Sequence, residues 1–210
     1  MSRKVRPEEE VLKVKQSLLD NALILIHENS YYNFTLRTLA KKVGMTAGNV
    51  YYYFTSKDEI YLHLVIEGFK ILYNKLKEAT EKEEDYNDKI SAYISTYYSF
   101  SIEYAKHYDL MFTLPTPKYF DYIGTNYENL AKMEIEYSSK IAELAQSIVI
   151  QINAKGQNLS LNEVNMLLLK LWCQLHGMIS LSRSKVIGYV TQNYEEYSKL
   201  LIQDLSKMFK

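Results

Sequence analysis

Apolar residues recur along most of this 210-residue chain at three- and four-residue steps, the spacing that lines one face of a helix. Three prolines and seven glycines are few for this length, so strong breaks between the helical segments are rare. The pattern therefore predicts an all-α protein of about nine helices.

Two of the helical segments are short and lie close together in residues 35–57. The apolar face of the first is made by Leu36, Leu39, Ala40 and Val43, and that of the second by Val50 with Tyr53 or Phe54. Thr35 and Thr46 are placed to cap the two helices, and Gly44 between them permits a left-handed turn. Such a pair is typical of a helix-turn-helix, which brings the end of its second helix into a DNA major groove.

Longer helices are predicted on both sides of this motif. Ser56 and Ser160 each precede a glutamate by three residues, which is the capping-box pattern of a helix start. The predicted helices span 8–28, 56–77, 88–106, 108–114, 119–152 with a break near Gly124, 160 to a break at Gly188, and 191–209. Ala154 to Asn158 is predicted to be a loop, and the charged segment 78–89 a solvated hinge. We expect an N-terminal three-helix domain in residues 1–55 and a larger helical domain in residues 56–210.

The net charge of the whole chain is zero, but basic and acidic residues are not evenly distributed along it. Lys+Arg and Asp+Glu both number 25, whereas residues 1–58 hold nine basic and six acidic side chains, a net charge of +3. This asymmetry is modest and agrees with DNA binding. The single cysteine, Cys173, excludes a disulfide framework, and neither a signal peptide nor a transmembrane helix is apparent. We expect a cytoplasmic protein without membrane contact.

The second helix of the motif offers the chemistry that reads DNA. Asn49 can pair with an adenine edge, and the small residues Thr46, Ala47 and Gly48 let the backbone approach the groove. Phosphate contacts are expected from Thr35, Arg37, Tyr51, Tyr52 and Lys57, with a solvated helix face as the alternative for Arg37. Because Asn49 is the only amide on this helix and no arginine lies on it, we expect specificity to rest partly on thymine methyls and DNA shape, and operators to be AT-rich.

The order Thr35, Leu39-Ala40, Gly44, Thr46, Gly48, Tyr51, Phe54, Ser56-Lys57 resembles the tetracycline-repressor (TetR) family of bacterial regulators. The resemblance covers about residues 8–60, and the string from Leu171 to Ile179 resembles a Trp-x-x-x-His-Gly pattern of one C-terminal subgroup. It implies a double-stranded DNA operator, a homodimer formed by the last two helices, and a palindromic site. It also implies that Tyr51 and Lys57 touch phosphates, whereas Thr46 to Asn49 and Tyr52 face the groove. Apolar residues that suit such a dimer are Val164, Leu168, Leu171, Leu175, Met178, Tyr194, Tyr197, Leu201, Leu205 and Met208, some of which must pack within the subunit.

The family resemblance also implies a pocket for a small apolar or aromatic effector that releases DNA. Its candidate lining residues are Tyr93, Tyr97, Phe100, Met111, Phe112, Tyr122, Trp172 and His176, and for each of them core packing is the alternative. No cofactor and no metal are expected, since His27, His63, His107 and His176 share no ligand spacing. Cys173 and His176 lie three residues apart but lack an orienting carboxylate, so we do not expect an enzyme. A constitutive DNA-binding or scaffolding protein and an activator remain alternatives.

Overall fold

The protein is described by a computed structural model over residues 7–154 and 159–209, apart from the side chains of Tyr194 and Glu195. Within those ranges the chain forms α-helices joined by short turns, and no strand occurs, as the apolar spacing predicts. The described ranges contain nine α-helices: α1 (Glu8–Asn29), α2 (Leu36–Lys42), α3 (Ala47–Tyr53), α4 (Lys57–Glu81), α5 (Tyr86–Glu103), α6 (Ala105–Tyr108), α7 (Glu128–Asn153), α8 (Leu161–Arg183) and α9 (Tyr194–Ser206).

The helix-turn-helix forms where its local signals predict it. Thr35 caps α2 through a capping box with Thr38. Gly44 has a φ of +68° and ends the turn after α2, where the amide of Met45 donates to the carbonyl of Ala40 at 2.9 Å. The hydroxyl of Thr46 accepts the amide of Asn49 at 3.3 Å and caps α3. The buried side chains of this part of the chain include Leu18, Ala22 and Ile26 of α1, Leu39 of α2 and Val50 of α3.

The predicted hinge at residues 78–89 is mostly helical. α4 continues to Glu81 and α5 begins at Tyr86, so only residues 82–85 connect them. Lys77 pairs with Glu81 at 3.7 Å and Lys82 with Glu78 at 2.8 Å, and such pairs four residues apart support a helix. The connection is therefore shorter than predicted, because charged residues also form exposed helix ends, and a hinge at this place stays a prediction.

Residues 104–128 depart further from the predicted pattern. α6 is followed by a π-helical turn, Asp109–Thr113, and the chain leaves helix before Pro115 and Pro117. A 3₁₀ turn spans Tyr119–Tyr122, and the long helix α7 begins only at Glu128. Gly124, with a φ of +76°, makes the break, and its amide donates to the Glu128 carboxylate at 2.8 Å. That backbone donor lowers the pKa of Glu128.

α8 starts as predicted, α9 starts at Tyr194 instead of near Thr191, and both helices end earlier than predicted. Ser160 caps α8 in a capping box with Glu163. α8 ends at Arg183 because Lys185 is left-handed, with a φ of +60°, before a 3₁₀ turn over Val186–Tyr189. α9 covers less of the C-terminus than predicted and passes into a 3₁₀ turn, Lys207–Phe209. Residues 155–158 of the predicted loop lie outside the described residues.

The described residues form two compact units. The first unit contains residues 7–69 and 104–136, and the second contains residues 70–103 and 137–209. The first unit includes the helix-turn-helix, and the second includes α5, α8 and α9. The division at residues 55 and 56 stays a prediction.

Candidate nucleic-acid interface

α3 buries one face and exposes the other. Val50 is fully buried and Tyr53 is 6% exposed, which fixes the helix on the core of the first unit. The opposite face exposes Gly48, Asn49, Tyr51 and Tyr52, with half of Tyr51 and 78% of Tyr52 open to solvent. Two phenol groups and an amide therefore lie on the solvent side of α3, as the sequence predicts for a DNA-reading helix.

Gly48 has no packing role in the free protein. A Cβ atom built there would meet nothing within 4 Å, and its φ is not positive. A glycine inside a helix costs about 0.5–1 kcal/mol relative to alanine. Neither the turn geometry nor a close neighbour in the first unit explains this residue, so its backbone is open to a partner outside the subunit.

The residues that flank α3 differ in how they are held. Thr35 and Arg37 are exposed at the start of α2, and no ion pair of Arg37 occurs among the described residues. Thr46 is exposed and Ala47 is half-buried at the start of α3. Lys42 lies 4.0 Å from the carboxylate of Glu28. Arg37 is thus more available than Lys42 to contact a DNA phosphate beside α2.

Lys57, the first residue of α4, is held in place by an aromatic side chain. Its ammonium nitrogen lies 4.4 Å from the centre of the Tyr31 ring and 3.4 Å from the Tyr31 carbonyl oxygen. The Tyr31 hydroxyl donates to Oδ1 of Asp58 at 2.6 Å, and the Tyr122 hydroxyl donates to the same oxygen at 3.1 Å. Burial is the main cause that raises the pKa values of both tyrosines, so the two phenols remain donors.

The sequence did not predict this cluster of Tyr31, Lys57, Asp58 and Tyr122. A lysine at the start of α4 opposes the helix dipole and signals that something must hold the cation. From the sequence, this signal predicts only a phosphate contact. Tyr31 and Tyr122 lie 26 and 65 residues away along the chain, and no local pattern links them to Lys57.

The residues expected to line an effector pocket divide between the two units. In the second unit the Tyr97 hydroxyl lies 2.9 Å from Nε2 of His176, and the Trp172 indole N–H donates to the same Tyr97 hydroxyl at 3.2 Å. The Tyr93 ring stacks on that of Tyr97 at 6.4 Å. Burial lowers the pKa of His176 to about 4, so its ring is neutral near pH 7. Phe100 is fully buried in the same unit.

The other three expected pocket residues belong to the first unit. Tyr122 binds Asp58, and the Phe112 ring packs 5.7 Å from that of Phe69. Met111 packs on Gly68, where an added Cβ would lie 2.5 Å from the methionine sulfur. A separate open cleft of about 290 Å³ in the second unit is lined by Thr80, Tyr86, Lys89, Leu144 and Ile148 among others, none of them an expected pocket residue.

Metal and nucleophile chemistry finds little support in the described parts of the chain. No group of three or more His, Cys, Asp or Glu side chains there could hold a metal ion. Cys173 is exposed on α8, and the nearby His176 binds Tyr97.

Residues 18–64 match the family model of the bacterial regulatory proteins of the tetR family. The biofilm operon icaADBC HTH-type negative transcriptional regulator IcaR of Staphylococcus aureus (strain Newman) is 27% identical over 149 residues. That match covers 70% of this chain and 78% of IcaR. The matched segment contains the whole helix-turn-helix, and the relatives found by sequence are transcriptional regulators, not enzymes.

Solved structures share the fold at low sequence identity. A bacterial regulatory protein of the tetR family from Rhodococcus RHA1 aligns with a TM-score of 0.71 and 13% identity, over 94% of this chain and 97% of that one. The transcriptional regulator FadR from Bacillus subtilis, solved with stearoyl-CoA, aligns with a TM-score of 0.67 and 15% identity, over 91% and 97%. The helix-turn-helix lies inside the matched family model, so residues 18–64 form a DNA-binding domain of the tetR family type, and the relatives found by sequence support a TetR-family transcriptional regulator.

Proposed function

We propose that this protein is a homodimeric repressor whose two α3 helices read the halves of a palindromic operator. Residues 1–55 would form the reading domain, and residues 56–210 the ligand-binding and dimerisation domain. The exposed face of α3 carries the proposal, because it presents Asn49, Tyr51 and Tyr52 to solvent while Val50 and Tyr53 hold the helix on the core.

Each exposed residue of the motif has a role in this proposal. The amide of Asn49 pairs with an adenine, and Thr46, Ala47, Gly48 and Tyr52 face the groove. Thr35, Arg37, Tyr51 and Lys57 contact phosphates, which position the protein without reading sequence. The half-buried Ala47 and the unpacked Gly48 allow the backbone of α3 to approach the bases closely.

The relatives found by sequence favour repression over activation. IcaR, which is named a negative regulator, shares 27% identity over most of this chain. A bound dimer represses when its operator overlaps a promoter. The same dimer can activate from a site upstream, so activation is the alternative that operator mapping would detect.

The exposed apolar surface of α8 and α9 supports a dimer. Leu161, Leu169 and Trp172 on α8 and Tyr197, Leu200 and Leu201 on α9 are each between 43% and 58% exposed. Val164, Leu171, Leu175, Met178 and Leu205 of the expected set are instead buried within the subunit. The described side chains do not include that of Tyr194. A two-fold dimer would bind a palindromic operator whose half-sites lie about one turn of DNA, 34–36 Å, apart.

α8 is long and apolar enough to cross a membrane by length and composition, although the sequence pattern did not predict such a helix. Core helices of soluble proteins meet the same criterion. Only 28% of the most apolar 18-residue stretch of α8 is buried within the subunit. A partner subunit on the exposed residues of α8 accounts for this surface, and a membrane is not needed to explain it.

The effector would be a small apolar or aromatic molecule. Aromatic side chains with a few polar atoms line such sites, and Tyr93, Tyr97, Trp172 and His176 form a cluster of this kind. The FadR structure contains stearoyl-CoA, which makes acyl-CoA compounds one class to test. Binding would favour a conformation that does not hold DNA and so release the operator.

Selection of duplexes from a random pool by the purified full-length protein tests the proposal. We expect an enriched two-fold symmetric sequence, a DNase footprint over both halves, and two subunits per duplex by light scattering. Release of that duplex is then measured with apolar and aromatic acids and with stearoyl-CoA. No enriched sequence would overturn the proposal, and an enriched site that no compound releases would favour the constitutive alternative.

A further inference from the structure

The ammonium of Lys57 has a fixed position before any DNA is bound. Lys57 opens α4, where the helix dipole disfavours a cation. The Tyr31 ring at 4.4 Å and the Tyr31 carbonyl at 3.4 Å offset this, and the Tyr32 ring lies 6.0 Å away. A lysine side chain has several rotatable bonds, so a surface that holds its end reduces the entropy cost of binding a phosphate.

Tyr31 is in turn fixed by its surroundings. It is 4% exposed, its ring packs edge-on against Tyr61 at 5.1 Å, and its hydroxyl donates to Asp58 at 2.6 Å. Asp58 follows Lys57 in the first turn of α4. Because the Tyr31 hydroxyl is bonded to Asp58, a movement of this carboxylate also moves the ring on which Lys57 rests. The position of the cation therefore depends on the group that holds Asp58.

Tyr122 supplies that group from a distant part of the chain. It is 4% exposed, it belongs to the 3₁₀ turn Tyr119–Tyr122, and its hydroxyl donates to the same Asp58 oxygen as Tyr31 at 3.1 Å. The hydrogen bonds and the ring contact thus form one continuous path within the first unit, from Tyr122 through Asp58 and Tyr31 to Lys57.

We infer that Tyr122 is a positioning residue for DNA binding, which sets the place of the Lys57 ammonium through Asp58 and Tyr31. The inference rests on the proposed contact of Lys57 with an operator phosphate. It gives a role in DNA binding to a residue for which the sequence offers an effector pocket or core packing. It also makes the turn at residues 119–122 a determinant of operator affinity.

Tyr127 offers a matched control. Its hydroxyl lies 3.1 Å from the hydroxyl of Thr55, just before α4, and Thr55 in turn donates to Glu59 at 2.7 Å. Tyr127→Phe removes the same atom as Tyr122→Phe, from the same connecting segment, and also breaks a contact with the start of α4. It leaves the path from Tyr122 to Lys57 intact, so it measures the effect of removing one ordinary hydrogen bond.

The test is a double-mutant cycle on the duplex that the wild-type protein selects. We expect Lys57→Gln to weaken binding and to reduce the slope of log affinity against log salt by about 0.9 for each phosphate that the lysine neutralises. Tyr122→Phe should weaken binding about two- to tenfold and lower the salt slope in the same direction, whereas Tyr127→Phe should change neither. In the Lys57→Gln background, Tyr122→Phe should have less than about a twofold effect.

The possible failures are distinguishable. If Lys57→Gln leaves affinity and salt slope unchanged, the phosphate contact in the proposed function is wrong. If Lys57→Gln weakens binding but Tyr122→Phe does not, or if its effect adds in full to that of Lys57→Gln, Tyr122 does not act through Lys57. Tyr31→Phe provides a second break in the path, because it removes the hydroxyl that joins the Tyr31 ring to Asp58 without changing a charge, and it should behave as Tyr122→Phe does. Thermal melts of all variants separate a general defect in folding from a specific defect in DNA binding.

Discussion

His27 Nε2 lies 3.0 Å from Oδ2 of Asp109, which joins the last turn of α1 to the start of the π-helical turn after α6. The Asp109 side chain is only 10% exposed and that of His27 is 39% exposed. A carboxylate so deeply placed needs a donor, because an unpaired buried charge is strongly destabilising. The pair therefore fixes residues 105–113 to the reading domain within the first unit.

A double-mutant cycle should measure this link. We expect His27→Gln and Asp109→Asn each to lower the free energy of unfolding by about 1–2 kcal/mol, with a coupling energy of about 1 kcal/mol between them. Lys75 and Glu103, which pair at 2.9 Å with side chains 34% and 55% exposed, are the control. Their coupling should stay below about 0.5 kcal/mol. The coupling energies of both pairs are measured by urea unfolding. If they are equal, the burial of Asp109 does not strengthen its pairing with His27.

Gly48→Ala should separate stability from DNA binding. Because a Cβ atom at Gly48 meets nothing within 4 Å and the residue is helical, alanine should stabilise the protein by about 0.5–1 kcal/mol. The same methyl group should weaken operator binding if the α3 backbone approaches the DNA. Gly44→Ala is the opposite case, since the φ of +68° there strains any L side chain and should destabilise the protein. Unchanged operator affinity in Gly48→Ala would exclude a close approach at this residue.

Local signals predicted much of the fold. The caps at Thr35, Thr46 and Ser160 and the left-handed Gly44 depend on one to four neighbouring residues, and a single sequence displays them directly. The segment from Ala105 to Tyr127 was harder to predict. A π-helical turn and a 3₁₀ turn there depend on contacts with α1 and α4, such as that of Asp109 with His27.

The candidate site divides in the same way. The exposed residues of α3 follow from the helical period alone, once Val50 and Tyr53 are assigned to the core. The cluster around Lys57 does not, because Tyr31 and Tyr122 meet at Asp58 only after the chain has folded. Long-range side-chain pairing leaves no periodic trace in a sequence, so the sequence indicates a pocket or the core for Tyr122 and no link to Lys57.

Asn49→Ala should change base preference more than affinity for nonspecific DNA. A bidentate pairing of an amide with adenine contributes about 1–3 kcal/mol of discrimination at one base pair. Selection from a random pool should therefore show relaxed preference at one position in each half-site. Asn129→Ala, the same truncation at a position of α7 outside the reading helix, is the control and should leave preference intact. An unchanged base preference would remove Asn49 as a reader.

Leu169→Glu should dissociate the dimer. Leu169 on α8 is half exposed, and a buried charge without a partner disfavours any interface that covers it. We expect a monomer by analytical ultracentrifugation and a large drop in operator affinity, since a single reading domain makes too few contacts. Ile102→Glu places the same charge on α5 at a side chain that is 60% exposed, and it should remain dimeric. A dimeric Leu169→Glu would remove this part of α8 from the interface.

His176 should make stability depend on pH below neutrality. Its pKa is about 4 in the folded protein, lowered by burial, against about 6.5 for an unfolded chain. Between those pH values the unfolded state binds more protons than the folded state. The contribution of neutral His176 to the free energy of unfolding is therefore fully present above pH 6.5 and is lost as the pH drops towards 4. Because the ring is partly exposed, we expect the decrease to be about 1–2 kcal/mol. Urea unfolding at about pH 7, 6, 5 and 4.5 should show this fall in the wild type and a smaller one in His176→Gln. Parallel curves for the two proteins would mean that the His176 ring is as well solvated in the folded state as in the unfolded one.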